Sequence, residues 1–275
     1  MSGIEAVFAR CQEEKRAAFI PYLTGGDPDL ETSAHLLEAL VEAGADIIEV
    51  GVPFSDPIAD GPVNQRAAVR ALAAGTSMSG ILDLVARHRR SSDVPIVLFS
   101  YYNPIFVRGV RDFAAQAADS GVDGILCVDL PPSEAALEFT PSLRERHIDS
   151  VFLLSPTSTR DRVRQVAESS TGFVYYVSRT GVTGVQSRLA SELKKDVRRV
   201  RRQLPQPLAV GFGISTPEQV GAVAKMADGV VVGSALVRIV EARTGEPEMI
   251  ADVRAAATAL ANAVHRKRLR REIKS

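Results

Sequence analysis

The sequence predicts an α/β fold, a single-domain (β/α)8 barrel of the TIM type spanning residues 1–275. Three observations carry that expectation. Eight short runs rich in Val, Ile and Leu recur along the chain. The stretches between them space their apolar residues as helices do. Eight such units in roughly 250 residues match a closed barrel, whereas a doubly wound sheet more often stops at about five to seven strands.

The strand candidates are AFIPYLT from residue 18, DIIEVG from 46, PIVLFSY from 95, GILCVD from 124, SVFLLS from 150, FVYYVS from 173, PLAVGFG from 207 and GVVVGS from 229. An N-terminal helix precedes them and a basic helical tail closes the chain. In DPDLETSAHLLEALVEAG, Leu37, Leu40 and Val41 share one helical face, with Asp27 placed to cap, Pro28 to start the helix and Gly44 to stop it. The segments EAGADIIEV, DSGVDGILCV and KMADGVVVG each end a helix on small or Asp/Gly residues before an apolar run, a weak internal repeat. Strand starts lie 22 to 34 residues apart except the second and third, which are 49 apart. Barrel enzymes build their sites from the loops after the strands, so that enlarged loop is where to look for chemistry or a partner. No Ser/Gly-rich linker divides the chain, and one domain follows.

Composition excludes several classes. With 33 acidic and 33 basic residues the formal net charge is zero, so no overall field draws the protein to nucleic acid or to a membrane. The basic stretches KKDVRRVRR and HRKRLRREIKS read as solvated helix faces. No run approaches the length of a membrane span, and the opening residues lack the apolar core of a signal peptide. Two cysteines outside any CxxC pattern suit a reducing compartment, so the expected location is cytoplasmic. His35, His88, His147 and His265 show no metal-ligand spacing, and no metal is expected. No dinucleotide fingerprint follows the first strand.

The second strand carries the candidate chemistry. If residues 46–51 are extended, Ile48 and Val50 face the helices while Ile47, Glu49 and Gly51 face the barrel interior. Burial there raises a carboxyl pKa, which is how a general acid/base is made, although a buried glutamate can also be purely structural. Asp60, and equally Asp56, could supply a second carboxylate, but aspartates in Pro/Gly loops also cap turns. Three glycine turns follow the last strands: SRTGVTGVQ with Gly181, Thr183 and Gly184, GFGISTPEQ with Gly211, Gly213 and Ser215, and VVGSALVRI with Gly233 and Ser234. Backbone N–H groups at such turns cradle phosphate. The expected substrate therefore has a phosphate tail and a reactive head.

The motifs YLTGGDP, EVGVPFSDPIADGPVNQ, YYNPI, VDLPP, SRTGVTG and GFGIS followed by VVGSA occur in the order found in the tryptophan synthase alpha chain family, which the sequence resembles over essentially its full length. The resemblance implies retro-aldol cleavage of indole-3-glycerol phosphate to indole and glyceraldehyde 3-phosphate. It implies Glu49, Asp60 and Tyr175 as catalytic residues, and Gly184, Gly213, Gly233 and Ser234 as phosphate binders. Arg179 and Thr183 would lie on a loop that closes over substrate, Tyr22 and Phe212 would wall the indole, and Asp56 and Pro57 would lie at a partner surface. The implied partner is a tryptophan synthase beta chain in an alpha2beta2 heterotetramer, with no cofactor in this chain and pyridoxal phosphate only in the beta chain. Gly25-Gly26 replaces a common Ala-Gly and is expected to loosen the first turn, while Ser100 and Cys127 would alter the indole wall. Other readings are a free-standing indole-releasing lyase, a catalytically silent subunit that activates a beta chain, and another phosphate-binding barrel such as a sugar-phosphate isomerase. Loss of Glu49 or Asp60 would mark the silent subunit, and both are present.

Overall fold

The computed structural model describes residues 2–178, 186–211 and 213–266. Its parallel strands are β1 Ala18–Thr24, β2 Ile48–Gly51, β3 Ile96–Ser100, β4 Gly124–Cys127, β5 Asp149–Leu154, β6 Val174–Val177, β7 Leu208–Gly211 and β8 Gly229–Val232. They pair in sequence order, and β8 returns to β1 through Ala18 opposite Gly229 and Pro21 opposite Val232, closing the barrel. Every predicted run is a strand.

The helices are α1 Gly3–Glu13 before the barrel, α2 Leu30–Glu42 after β1, α3 Pro62–Ala73 and α4 Met78–His88 after β2, and α5 Tyr102–Arg108 and α6 Val110–Asp119 after β3. Next come α7 Pro132–Ala135 and α8 Phe139–Glu145 after β4, α9 Arg160–Ser169 after β5 and α10 Gln186–Arg201 after β6. The chain continues through α11 Pro217–Ala224, α12 Ser234–Arg243 and α13 Met249–Val264. The long interval after β2 is thus a ten-residue loop and two helices. The basic tail beyond residue 266 lies outside the described residues.

Strand alternation splits the core into two layers. Outward residues such as Phe19, Ile48, Leu98 and Ile125 pack under the helices with Leu36, Leu37 and Leu40 of α2. Inward residues Ala18, Ile20, Ile47, Val97, Leu126, Val151 and Phe173 fill the barrel, and Ile4, Val7, Phe8 and Cys11 of α1 join them from the N-terminal end. Helix α1 is fixed for that task by a capping box between Ser2 and Glu5. Its Phe8 ring stands 5.7 Å from Phe173. Each fully buried aliphatic or aromatic side chain of that plug contributes about 1.5–3 kcal/mol of burial.

Two local expectations are corrected. Asp29, not Asp27, caps α2: its backbone is extended and its Oδ1 accepts from the Thr32 N–H at 2.7 Å. Asp27 is buried and accepts two hydrogen bonds from Arg70 of α3, at 2.8 and 2.7 Å. Arg70 also reaches Glu241 of α12 at 2.9 Å, so the turn after β1 is tied to two helices. Gly25-Gly26 does not loosen that turn. The Gly25 N–H bonds Gly51 O at 2.8 Å, the Gly26 N–H bonds Ser33 Oγ at 2.9 Å, and Gly26, at φ +81°, faces Thr76 with no room for a Cβ.

Candidate active site

On β2 the alternation places Glu49 inward, opposite Tyr22 on β1 and Val97 on β3. The side chain is 1% exposed, and its Oε1 has no hydrogen-bond partner. With no cation to hold the charged form, burial alone pushes its pKa from 4.5 to about 8. A carboxyl of this kind is a neutral acid at neutral pH and can both give and take a proton.

Asp60 is held from several directions. Its N–H bonds Pro57 O at 3.0 Å, and its carbonyl accepts from Gln65 Nε2 at 2.9 Å, which folds the loop onto the start of α3. Tyr101, at the end of β3, accepts from the Ala59 N–H at 2.9 Å and donates to Asp60 Oδ2 at 2.8 Å. The Tyr101 ring is itself braced 5.2 Å from Phe54. Burial raises the Asp60 pKa, and the hydrogen bond from Tyr101 pulls it back. The two carboxyls therefore differ in kind: Glu49 has no bond favouring its anion, while Asp60 accepts one from Tyr101.

Both line a cavity of about 240 Å³ at the C-terminal mouth of the barrel, together with Tyr22, Phe99, Tyr175 and Val231. Tyr22 meets Phe99 edge-on with centroids 5.5 Å apart, and its hydroxyl lies 3.3 Å from Thr24 Oγ1. Burial, then the Glu49 carboxylate, keeps Tyr175 a neutral phenol far above its ordinary range. Space for the phenols comes from missing side chains, since a Cβ at Gly51 would overlap the Tyr22 hydroxyl and one at Gly211 the Tyr175 hydroxyl. Gly211 is thus a spacer, not a phosphate cradle.

The far side of the cavity is formed by Gly213, Gly233, Ser234 and Arg238. Gly233 caps α12 without any side-chain bond to the first turn, so no capping side chain occupies the leading N–H groups of this ten-residue helix. Gly213, at φ +69°, holds a turn that other residues strain to adopt. Ser215 is turned away and bonds Gln219.

Glu49, Asp60, Tyr175, Tyr22, Gly213, Gly233 and Ser234 are therefore brought to one cavity. Arg179, Thr183, Gly184 and Phe212 lie outside the described residues. Asp56 is exposed on the rim, where its carboxylate accepts from Ser55 Oγ at 2.5 Å, so it does not supply the second carboxylate. Pro57 lies beside it on the same loop. Ser100 faces the helix layer with its Oγ on Tyr101 O, and Cys127 packs in the outer layer, so neither forms the cavity wall. Phe99, Tyr101, Asn64 and Arg238 were not anticipated. Alternation from Val97 along β3 points to Phe99; nothing local signals the other three. Among the described residues no cluster could hold a metal, and no single helix is long and apolar enough to cross a membrane.

The family model described as tryptophan synthase alpha chain matches residues 8–265. The tryptophan synthase alpha chain of Geobacter sulfurreducens is 52% identical over 241 residues, covering 88% of this chain and 91% of that one. The one from Geotalea daltonii is 50% identical over 246 residues, covering 90% and 93%. Among solved structures, tryptophan synthase subunit alpha from Legionella pneumophila superposes with a TM-score of 0.89 at 36% identity, over 96% of this chain and 98% of that one.

Proposed function

Because this chain belongs to the tryptophan synthase alpha chain family, and so is a lyase of tryptophan biosynthesis that cleaves indole-3-glycerol phosphate, we propose that the retro-aldol step runs between Glu49 and Asp60. One observation carries this assignment: a buried carboxyl without any partner shares a cavity with a second carboxyl that accepts a hydrogen bond from Tyr101.

Protonated Glu49 delivers its proton to indole C3, making the ring an iminium-type electron sink. Asp60, ionised, accepts the ring N–H and stabilises the positive charge that develops there. The Glu49 carboxylate then takes the proton of the hydroxyl on the adjoining glycerol carbon. As that O–H pair becomes the aldehyde C=O, the carbon–carbon bond breaks and its electrons return to the ring. Glu49 ends protonated, as it began, and the proton balance closes. Tyr175 offers a neutral hydroxyl, and Tyr22 with Phe99 walls the aromatic ring. Gly213, Gly233 and Ser234 receive the phosphate on backbone N–H groups, with Arg238 adding charge. By the resemblance, Arg179 and Thr183 would serve the closing loop, Gly184 the phosphate and Phe212 the indole wall.

Because the protonated indole ring is its own electron sink, the chemistry requires no cofactor in this chain; pyridoxal phosphate belongs to the beta chain. The partner is that beta chain, in an alpha2beta2 complex. Asp56 and Pro57 stand beside Ile58, which is 86% exposed, and Phe106, Val107 and Leu137 are 62%, 79% and 84% exposed after β3 and β4. These neighbouring strands put the apolar residues along one side of the mouth. The free thiols Cys11 and Cys127 fit a cytoplasmic setting. The test is indole release from indole-3-glycerol phosphate by purified chain, with and without a beta chain, beside Glu49→Ala. Cleavage that rises with the beta chain and vanishes in the variant is expected. Wild-type turnover in a folded Glu49→Ala protein would overturn the mechanism.

A further inference from the structure

Arg238 is exposed on α12 and lines the cavity, where it is the one cation among the described lining residues. It stands four residues beyond Ser234. Helical side chains lean toward the N-terminus of their helix, so Arg238 covers the turn that carries Gly233 and Ser234. Among the described residues no carboxylate pairs with it. Yet α12 itself supplies a candidate, because Glu241 lies three residues farther on, the spacing at which opposite charges meet on a helix. Glu241 is instead turned to α3. Its Oε1 and Oε2 accept from Arg66 at 2.6 and 2.8 Å, and its Oε1 also accepts from Arg70 at 2.9 Å. Arg70 spends its Nε and Nη2 on Asp27 at 2.8 and 2.7 Å. Two arginines and two carboxylates thus close on one another without net charge, and the charge of Arg238 is left over.

We propose that Arg238 is a specificity residue that selects a doubly charged phosphate over a singly charged tail, and that Arg66 keeps it free by occupying Glu241, the acid that would otherwise neutralise it. This role rests on the lyase reading above, which brings a phosphate ester to Gly233 and Ser234. Backbone N–H groups bond the oxygens of either kind of tail in the same geometry, so the cradle alone discriminates weakly. A full positive charge discriminates, because its attraction scales with the charge it meets. At about pH 7.5 a phosphate monoester, whose second pKa is about 6, is close to doubly charged. A sulfate monoester of the same shape carries a single charge.

The experiment uses two non-cleavable probes, the phosphate and the sulfate monoester of one 3-(hydroxyalkyl)indole, titrated calorimetrically at about pH 7.5. The proteins are the native chain, Arg238→Gln, Arg66→Gln, and Arg66→Gln combined with either Arg238→Gln or Glu241→Gln. Arg238→Gln should weaken the phosphate probe about tenfold and the sulfate probe about threefold, since halving the charge halves the attraction. Arg66→Gln should weaken the phosphate probe about threefold, by releasing Glu241 toward Arg238. Arg66 is exposed, so its variant should keep the native urea midpoint. The Arg66→Gln loss should vanish when Glu241→Gln is added, and it should not add to the loss from Arg238→Gln. A phosphate-to-sulfate preference unchanged in Arg238→Gln, additive losses in the double variant, failed rescue by Glu241→Gln, or a folded native chain that binds neither probe would overturn the assignment. Because binding is read without turnover, a native chain that shows these shifts but does not cleave indole-3-glycerol phosphate would remove the lyase reading alone.

Discussion

Replacing Glu49 by glutamine removes a group that destabilises the folded chain whenever it is ionised. Glutamine keeps the shape but does not titrate. The carboxyl has a pKa of 4.5 when solvated and about 8 when buried in the barrel. At about 1.36 kcal/mol per pH unit, that gap corresponds to ~5 kcal/mol of stability. The raised value means the native state holds the proton more tightly than the unfolded state, so between 4.5 and about 8 the native state binds more protons and stability falls as pH rises. Urea unfolding of native chain and Glu49→Gln from about pH 5 to about pH 9 isolates this contribution, because every other titrating group is common to both. The variant should gain about 4 kcal/mol on the native chain over that range, while its cleavage activity is lost. Two stability curves that stay parallel across pH would refute the buried, unpartnered state of Glu49 and with it the basis for its acid/base role.

Tyr101→Phe removes the hydroxyl that donates to Asp60; kcat/KM should fall about tenfold and its acid limb should move to higher pH, and an unmoved limb would break the link between the two residues. Arg70→Leu leaves Asp27, 2% exposed, without its counter-ion and should cost about 3–5 kcal/mol, read by urea unfolding, whereas adding Asp27→Asn should restore most of the loss. His88 is 5% exposed, neither ring nitrogen has a partner, and burial holds its pKa at about 4, below the ordinary 6.5. The unfolded state therefore takes up the proton first, and stability is lost as pH falls from 6.5 toward 4. His88→Leu should abolish that loss, about 3 kcal/mol at full protonation, and a calorimetric scan showing the same acid sensitivity in both proteins would contradict it.

Much of this was legible because strand periodicity and burial are local properties. One charged residue in an otherwise apolar strand fixed both the position of Glu49 and its inward direction. The walls of the cavity were less legible, because barrel closure joins residues distant in sequence: Tyr101 reaches Asp60 across 41 residues, and no spacing rule connects them. Asn64 reads as an ordinary polar residue in a first helical turn, although it lines the cavity. Gly211 reads as a turn former and Gly51 as one more inward strand position, while both leave volume for phenols from other strands. Asp27 and Asp29 both suit a cap, and an arginine on a later helix decides between them.

The packing of α1 across the bottom of the barrel also governs traffic. Among the described residues, Ile4, Val7 and Phe8 seated in the interior close the N-terminal end of the barrel, and the catalytic cavity opens at its C-terminal end. The products then leave toward the C-terminal end of the barrel, not through its base. Indole lodged on the aromatic wall blocks the next substrate directly, and it should inhibit competitively. A protein seated on that rim would then act as a valve, controlling how quickly the cavity empties without touching the bond that breaks.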